Sequence, residues 1–315
     1  MLCGEFKLKK IIHTIADTIA FFRPLLLIPI WTPAIIGFWN GGGNKGIGGE
    51  WELILLTTFL GAGIYGINQL FDVAGDRTNN KNLPFALGFL SPMFVKSLIL
   101  LSFLGALIVA FPMGLLVDLL VILGILLGIA YSVPPFRFKD RAICALISNG
   151  LGHGMLIYII GYAFALAKME NARWDWFVIL RSLAYGIAYS AVYLFTTVPD
   201  VDGDRKVGKN TFAVRYGERK TIAVGLLGVF LAGAAGLAFK ETALFLTAMV
   251  SLPFYFAAMS SREIQPKLVV RANKVAVLIL ALCACFYIPT FIVPVIIAIV
   301  FAAIYNRTRL GVKYP

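Results

Sequence analysis

The sequence predicts an all-α polytopic membrane protein: nine transmembrane helices, two related four-helix halves plus a ninth helix, around a central cavity. Three observations lead there. The 315 residues are 60% hydrophobic and only 14% charged, with mean hydropathy +0.86, more apolar surface than a soluble fold of this size hides. The apolar residues gather into runs of about the 20 residues that a bilayer requires. One charged segment also occurs twice. Residues 72–82 read DVAGDRTNNKN and residues 200–210 read DVDGDRKVGKN, identical at seven of eleven positions and separated by a constant 128 residues.

Taken in order, residues 7–22 place Ile11, Ile12, Ile15, Ile19 and Phe22 on one helical face, opposite Lys9, Lys10, His13 and Asp17. That pattern fits a helix lying in the membrane surface, so residues 1–19 are expected as an interfacial amphipathic segment. No cleavable leader is expected before the first apolar run. Spans are expected at 20–39, 52–71, 93–111, 115–132, 143–166, 175–198, 220–239, 242–260 and 275–305, together one membrane-embedded domain over 1–315. The last span is long and contains Pro289 and Pro294, so it should kink or tilt. Cys3, Cys144, Cys283 and Cys285 lack metal-ligand spacing. His13 and His153 are isolated, and both read as ordinary helix residues.

The net charge of +12 does not indicate nucleic acid, because its distribution follows membrane topology. With the N-terminus inside, twenty Lys and Arg side chains fall on the cytoplasmic side. Eight fall on the other: Lys45, Lys168, Arg173, Arg181, Lys240, Arg307, Arg309 and Lys313. Four crossings separate the two charged segments, so both open on the cytoplasmic side of this multi-pass protein. The loop after the fourth span, with Arg137, Lys139 and Arg141, opens there too. Loops 72–92, 132–142 and 199–219 should therefore meet where the two halves meet.

Ionisable groups at membrane depth are expensive and mark function. Asn68, Asp72 and Asp76 are spaced four apart and form one stripe on a helix; Asp200 and Asp204 repeat the spacing. Their oxygens are hard ligands suited to Mg2+, which bridges carboxylates to a substrate phosphate. Two acidic pairs flanked by cations imply something anionic between them, since a divalent ion inverts the repulsion that four carboxylates would exert. Arg77, Lys81, Arg205 and Lys209 stand at equal offsets in the two copies and can reach a polyanion; Arg23 and Arg137 stand at span ends. In the loop YSVPPFRFKD, Tyr131 and Ser132 can donate to a phosphate, while Pro134 and Pro135 stop the helix.

Together these residues resemble the UbiA superfamily of intramembrane prenyltransferases. Asn68, Asp72 and Asp76 complete its NxxxDxxxD pattern, and Asp200 and Asp204 meet its DxxxD pattern. YSVPPFRFK is similar to the family's third loop, and Arg23-Pro24 to the Arg-Pro that often opens its first span. The resemblance implies a prenyl diphosphate donor held between the loops by two Mg2+ ions, with Asp72, Asp76, Asp200 and Asp204 essential to catalysis. It further implies diphosphate ionisation and attack on the allylic cation by a lipophilic acceptor, most naturally an aromatic or quinone-type head group. LPFALG at residues 83–88 is closer to the plant-type homogentisate prenyltransferases than to the RPxPSG of many relatives. Those relatives carry Lys-Asp before the second motif where this chain has Thr196 and Thr197, so an auxiliary carboxylate is missing. Three other readings remain open in the sequence: prenylation of a glycerol-phosphate ether lipid, a CDP-alcohol phosphotransferase, or a transporter with acidic ion sites.

Overall fold

The computed structural model describes residues 2–43, 48–79, 81–169, 174–261 and 263–312, with side chains from residue 9 onward. Of the cations counted above, Lys45, Arg173, Arg262 and Lys313 lie outside the described residues, as does the side chain of Lys7. The helices are α1 (Leu2–Phe21), α2 (Pro24–Asn40), α3 (Gly49–Thr78), α4 (Pro92–Ala110), α5 (Leu115–Ser132) and α6 (Ala142–Lys168). They continue as α7 (Phe177–Thr197), α8 (Val201–Lys206), α9 (Phe212–Tyr216), α10 (Glu218–Ala238), α11 (Thr242–Ser260), α12 (Pro266–Tyr287) and α13 (Ile292–Arg309). No strand occurs among the described residues, only one isolated bridge between Arg141 and Asn210.

Nine described helices are long and apolar enough to cross a membrane, and α1 with α2 forms a bent pair that meets the same test jointly. The bend of 43° has a local cause. Arg23 adopts a left-handed conformation (φ 54°) just before Pro24, whose ring fixes φ and removes a backbone donor. On α1, Ile11, Ile12, Ile15 and Ile19 are exposed while Asp17 is buried. Leu100, Ile108, Leu119, Leu126, Phe230 and Ile297 are likewise exposed on the spans, where lipid rather than water is the apolar solvent.

The 128-residue offset extends well beyond the charged segment. Shifting α3 by 128 lands on α7 plus α8, shifting α4 lands on α10, and shifting α5 lands on α11, all within about two residues. The two four-helix halves are thus α2–α5 and α6–α11, with α8 and α9 as short inserts. They meet at a close crossing of α2 over α6. A Cβ on Gly37 or Gly161 would collide with the backbone carbonyl of Tyr158 or Ala34 respectively. Small residues that let backbones approach are how helices associate where no hydrophobic force separates protein from solvent.

The last expected span, 275–305, is two helices. α12 begins at Pro266 and ends at Tyr287; a short turn at Ile288–Phe291 leads into α13. Pro289 has no N–H to continue α12, and Ile288 is extended (φ −128°, ψ 92°). α13 therefore returns to the side of the acidic motifs. Arg309 donates to both carboxylate oxygens of buried Asp17 at 2.8 and 3.0 Å, and lies 4.3 Å from the ring centroid of Phe89. Arg307 and Arg309, counted above on the opposite side, thus belong with the acidic motifs, and the charge asymmetry grows.

Two partly open cavities flank α2. One, about 500 Å3 with its open mouth included, lies where the two halves meet, among α2, α3, α5 and α6. The other, of about 580 Å3, lies between α2 and the second half with α12.

Candidate active site

α3 runs unbroken through residue 78, so Asn68, Asp72 and Asp76 form the expected stripe at its end. The second copy is built differently. Pro199 interrupts the helix: α7 stops at Thr197, and α8 restarts with Asp200 as its N-terminal flanking residue and Asp204 inside it. The two segments nonetheless fold alike. Lys81 N donates to Asp76 O, and Lys209 N to Asp204 O, each at 2.9 Å.

They then interlock crosswise. Lys81 Nζ lies 2.7 Å from Asp200 Oδ2 of the second copy and 3.8 Å from Asp76 of its own. Lys209 Nζ lies 2.7 Å from Asp72 Oδ1 of the first copy and 3.9 Å from Asp204 of its own. Residues 72 and 200, 76 and 204, and 81 and 209 are all related by the same offset, so the site has a local pseudo-two-fold symmetry. Close approach supports it. A Cβ on Gly75 would come 3.1 Å from Lys209 Nζ, and one on Gly203 would overlap the Asn79 side chain.

The third loop supplies a further cation. Lys139 is 5% exposed, with Nζ 3.6 Å from Asp72 Oδ1 and no hydrogen bond among the described residues. Asp140 O accepts from Asn210 N at 3.1 Å, tying this loop to the second copy. Burial pushes the Lys139 pKa down. Burial also works against the Lys209 ammonium, but the charge and hydrogen bond of Asp72 outweigh it and raise its pKa. Burial pushes the Asp204 carboxyl up, with Lys209 pulling the other way.

The remaining expected residues divide. Ser132 Oγ accepts from Asn68 Nδ2 at 3.4 Å, and Tyr131 accepts from Asn149 Nδ2 at 3.2 Å within electrostatic reach of Asp72. Arg23 is within electrostatic reach of Asp76. Arg77 turns away, donating to Ala86 O of its own loop at 2.9 Å. Arg137 pairs with Asp140 at 2.8 Å. Arg205 pairs with Asp202 at 3.6 Å, their side chains 63% and 85% exposed, so it does not face the carboxylates.

Three side chains here were not picked out from sequence. Lys139 had been counted only as topological charge. Thr211 donates to Asp204 Oδ2 at 3.3 Å. Tyr193 has a buried hydroxyl without a partner among the described residues, in the apolar cluster against which Tyr131 packs. It lies 128 residues beyond Tyr65, so the repeat carried a signal for it.

Among the described residues no group of three or more His, Cys, Asp or Glu is assembled as a metal site. The donor set still fits a hard divalent ion. Four carboxylates gather around two shared ammonium groups, which occupy the places where cations would neutralise them.

Residues 30–267, about three quarters of the chain, match the UbiA prenyltransferase family. The chain belongs to that family. It is 31% identical over 196 residues to a homogentisate phytyltransferase of Synechocystis sp., a match covering 59% of this chain and 61% of that protein. It is 30% identical over 236 residues to the chloroplastic homogentisate solanesyltransferase of Arabidopsis thaliana, covering 71% of this chain and again 61% of the relative. The chain thus spans less than two thirds of either relative. In fold it resembles a UbiA homolog from Archaeoglobus fulgidus bound to DMAPP and Mg2+, with TM-score 0.65 and 18% identity over 84% of this chain and 96% of that one. The α-helical fold and the nine apolar helices among the described residues are those of a UbiA-family membrane protein, and the phosphotransferase and transporter readings fall away.

Proposed function

We propose that this chain transfers a prenyl group from an allylic prenyl diphosphate to an aromatic acceptor, as one membrane-embedded domain whose site faces the cytoplasm. The carrying observation is the crosswise lattice of Lys81, Lys209, Asp72 and Asp200. Lysines that pair with carboxylates in one state can turn to a diphosphate in another, because an ammonium on a flexible stem is a movable point charge. Asn68, Asp72, Asp76, Asp200 and Asp204 would hold two Mg2+ ions, which supply Lewis-acid neutralisation of the departing diphosphate.

The chain's own residues do the rest. Lys81, Lys209 and Lys139 draw the diphosphate between the two halves, and Tyr131 and Ser132 stand at its edge. As the allylic C–O bond breaks, its electron pair leaves on the diphosphate oxygen, and these fixed cations stabilise the charge that develops. The apolar interior below keeps water from the allylic cation. An aromatic acceptor is supported by relatives whose names specify homogentisate, and by LPFALG at residues 83–88.

The test is direct. Purified protein is incubated with labelled prenyl diphosphates and a panel of phenolic and glycerol-phosphate acceptors, with and without Mg2+. Transfer to phenols that disappears on chelation is expected. Transfer confined to the glycerol-phosphate acceptor, or unaffected by chelation, would refute the reading.

A further inference from the structure

His153 differs from the polar side chains around it in α2, α3 and α6. Tyr65 donates to Leu26 O, Tyr189 to Pro29 O, Trp31 to Thr58, and Asn149 to Tyr131. The hydroxyls of Thr32 and Thr57 turn back to carbonyls of their own helices. The half-buried imidazole faces the cavity, and its close neighbour is the stacked ring of Tyr65, 5.9 Å between centroids. A polar ring at membrane depth is costly, and one that lines a cavity is placed where a ligand can hydrogen-bond it.

The backbone places it deliberately. Residues Gly150–Leu156 form a π-helical stretch inside α6, a widened turn frequent at functional sites. Gly150 and Gly154 press this stretch onto α7: a Cβ on Gly154 would overlap the Tyr185 carbonyl, and one on Gly150 would come 2.8 Å from the Gly186 carbonyl. His153 then falls in the wall of the 500 Å3 cavity. Tyr131, Ser148 and Asn149 line the same cavity, and Ser132, next to Tyr131, accepts from Asn68 of the acidic stripe at 3.4 Å, so the cavity wall adjoins that stripe.

The donor offers nothing to an imidazole here. Its diphosphate belongs with the lysines, and its tail has no hydrogen-bonding group. The 580 Å3 cavity suits that tail better, since Thr32 and Thr247 there bond to their own helices and Tyr189 to a backbone carbonyl.

We propose that the cavity among α2, α3, α5 and α6 takes the head group of a phenolic acceptor, and that His153 binds its ring hydroxyl and takes up the hydroxyl proton during transfer. This rests on the prenyltransferase reading above. A ring carbon ortho or para to the hydroxyl gives an electron pair to C1 of the donor as the C1–O bond breaks and its pair leaves on the diphosphate. The hydroxyl proton passes to the imidazole, leaving a neutral dienone. The proton on the alkylated carbon then leaves to diphosphate, and the imidazolium returns its proton to the ring oxygen. One C–C bond has replaced one C–O bond, and one ring proton is released. His153 thereby does work for which no carboxylate stands at Thr196 and Thr197.

The experiment uses the full chain in lipid nanodiscs with saturating labelled donor and Mg2+, comparing the parent, His153→Leu and His153→Gln on a phenol and on its methyl ether. For His153→Leu on the phenol, kcat should fall about 10²-fold, the lower range for losing a general base, and acceptor KM should rise several-fold. Donor Kd should stay at the parental value. His153→Gln should restore KM but not kcat. The parent should prefer the phenol over the ether, and His153→Leu should lose that preference. Parental kcat and acceptor KM in His153→Leu, or an undiminished phenol preference, overturns the proposal. So does an equal loss of donor affinity in His153→Gln, which would make this the tail pocket. Should His153→Leu fail to fold, His153→Gln decides alone. Failure of the parent to prenylate any phenol removes the aromatic-acceptor reading itself, and this proposal with it; that outcome is visible before any variant is measured.

Discussion

The first copy of the charged segment rides on one unbroken helix, and the second is split by Pro199 into the end of α7 and the short α8. Yet the cross-pairs match within a tenth of an ångström, at 2.7 Å and 2.7 Å across copies and 3.8 Å and 3.9 Å within them. The symmetry is therefore held by the i, i+4 acidic spacing, the matching turn after each helix and the lysine beyond it, not by identical helices. Where the copies diverge, their side chains face different surroundings. Ala74 of the first is Asp202 in the second, out in solvent, and Arg77 grips its own loop while Arg205 does not.

The largest break in this comparison comes from the carboxylates. Asp72→Ala and Asp200→Ala should each cut kcat by at least about 10²-fold, the scale for losing one electrostatic stabiliser. The two losses should match, because each removes the partner of one cross-pair. A single-turnover assay at saturating Mg2+ measures both, and one variant with parental turnover would end the symmetric reading.

Next come the lysines. Lys81→Met and Lys209→Met should each weaken donor binding by about 10- to 100-fold, the worth of a hydrogen bond to a charged group. Lys81→Arg should keep much of it, since the charge remains. Titration with a non-hydrolysable donor analogue at fixed Mg2+ compares them, with Lys240→Met as the control on the far side.

A smaller effect tests the helix break. Pro199→Ala allows α7 to continue toward α8 as α3 does, and should turn Asp200 away from Lys81. A loss of about tenfold in kcat, with the thermal midpoint unchanged or raised, is expected from a displacement of this kind. Unchanged kcat would show that the break is incidental.

The smallest effects belong to the exposed pair. Asp202→Ala and Arg205→Ala should alter stability by no more than about 0.5 kcal/mol and leave donor affinity unchanged. If either matched the Asp200→Ala loss, the solvent-facing assignment would be wrong.

Much of this was legible because membrane proteins write their architecture in hydropathy. The apolar helices and the gathering of two charged segments at one end of the bundle follow from composition, helical period and charge bias. The 128-residue offset exposed the repeat, and with it the equivalence of Lys81 and Lys209. Arg77 and Arg205 were misplaced for the same reason: equal offset says nothing about which way a long side chain turns. Lys139 was hidden because a cation near a span end looks the same in sequence whether it faces headgroups or a buried carboxylate.

By itself, then, the sequence determined what depends on local order. It carried the position of the apolar runs up to the last, the stripe of Asn68, Asp72 and Asp76, and the pairing of two segments by an even count of crossings. Tertiary structure decided what depends on distance through space. It cut 275–305 into two helices at Ile288 and Pro289, and so brought Arg309 back to Asp17. It crossed Lys81 and Lys209 onto the opposite copies rather than their own, and it set His153 in a cavity wall instead of a packed interface. Hydrophobic period specifies a helix face to within a turn. Which partner that face meets depends on backbone approach at residues such as Gly37, Gly154 and Gly161, which packing of the whole bundle alone brings about.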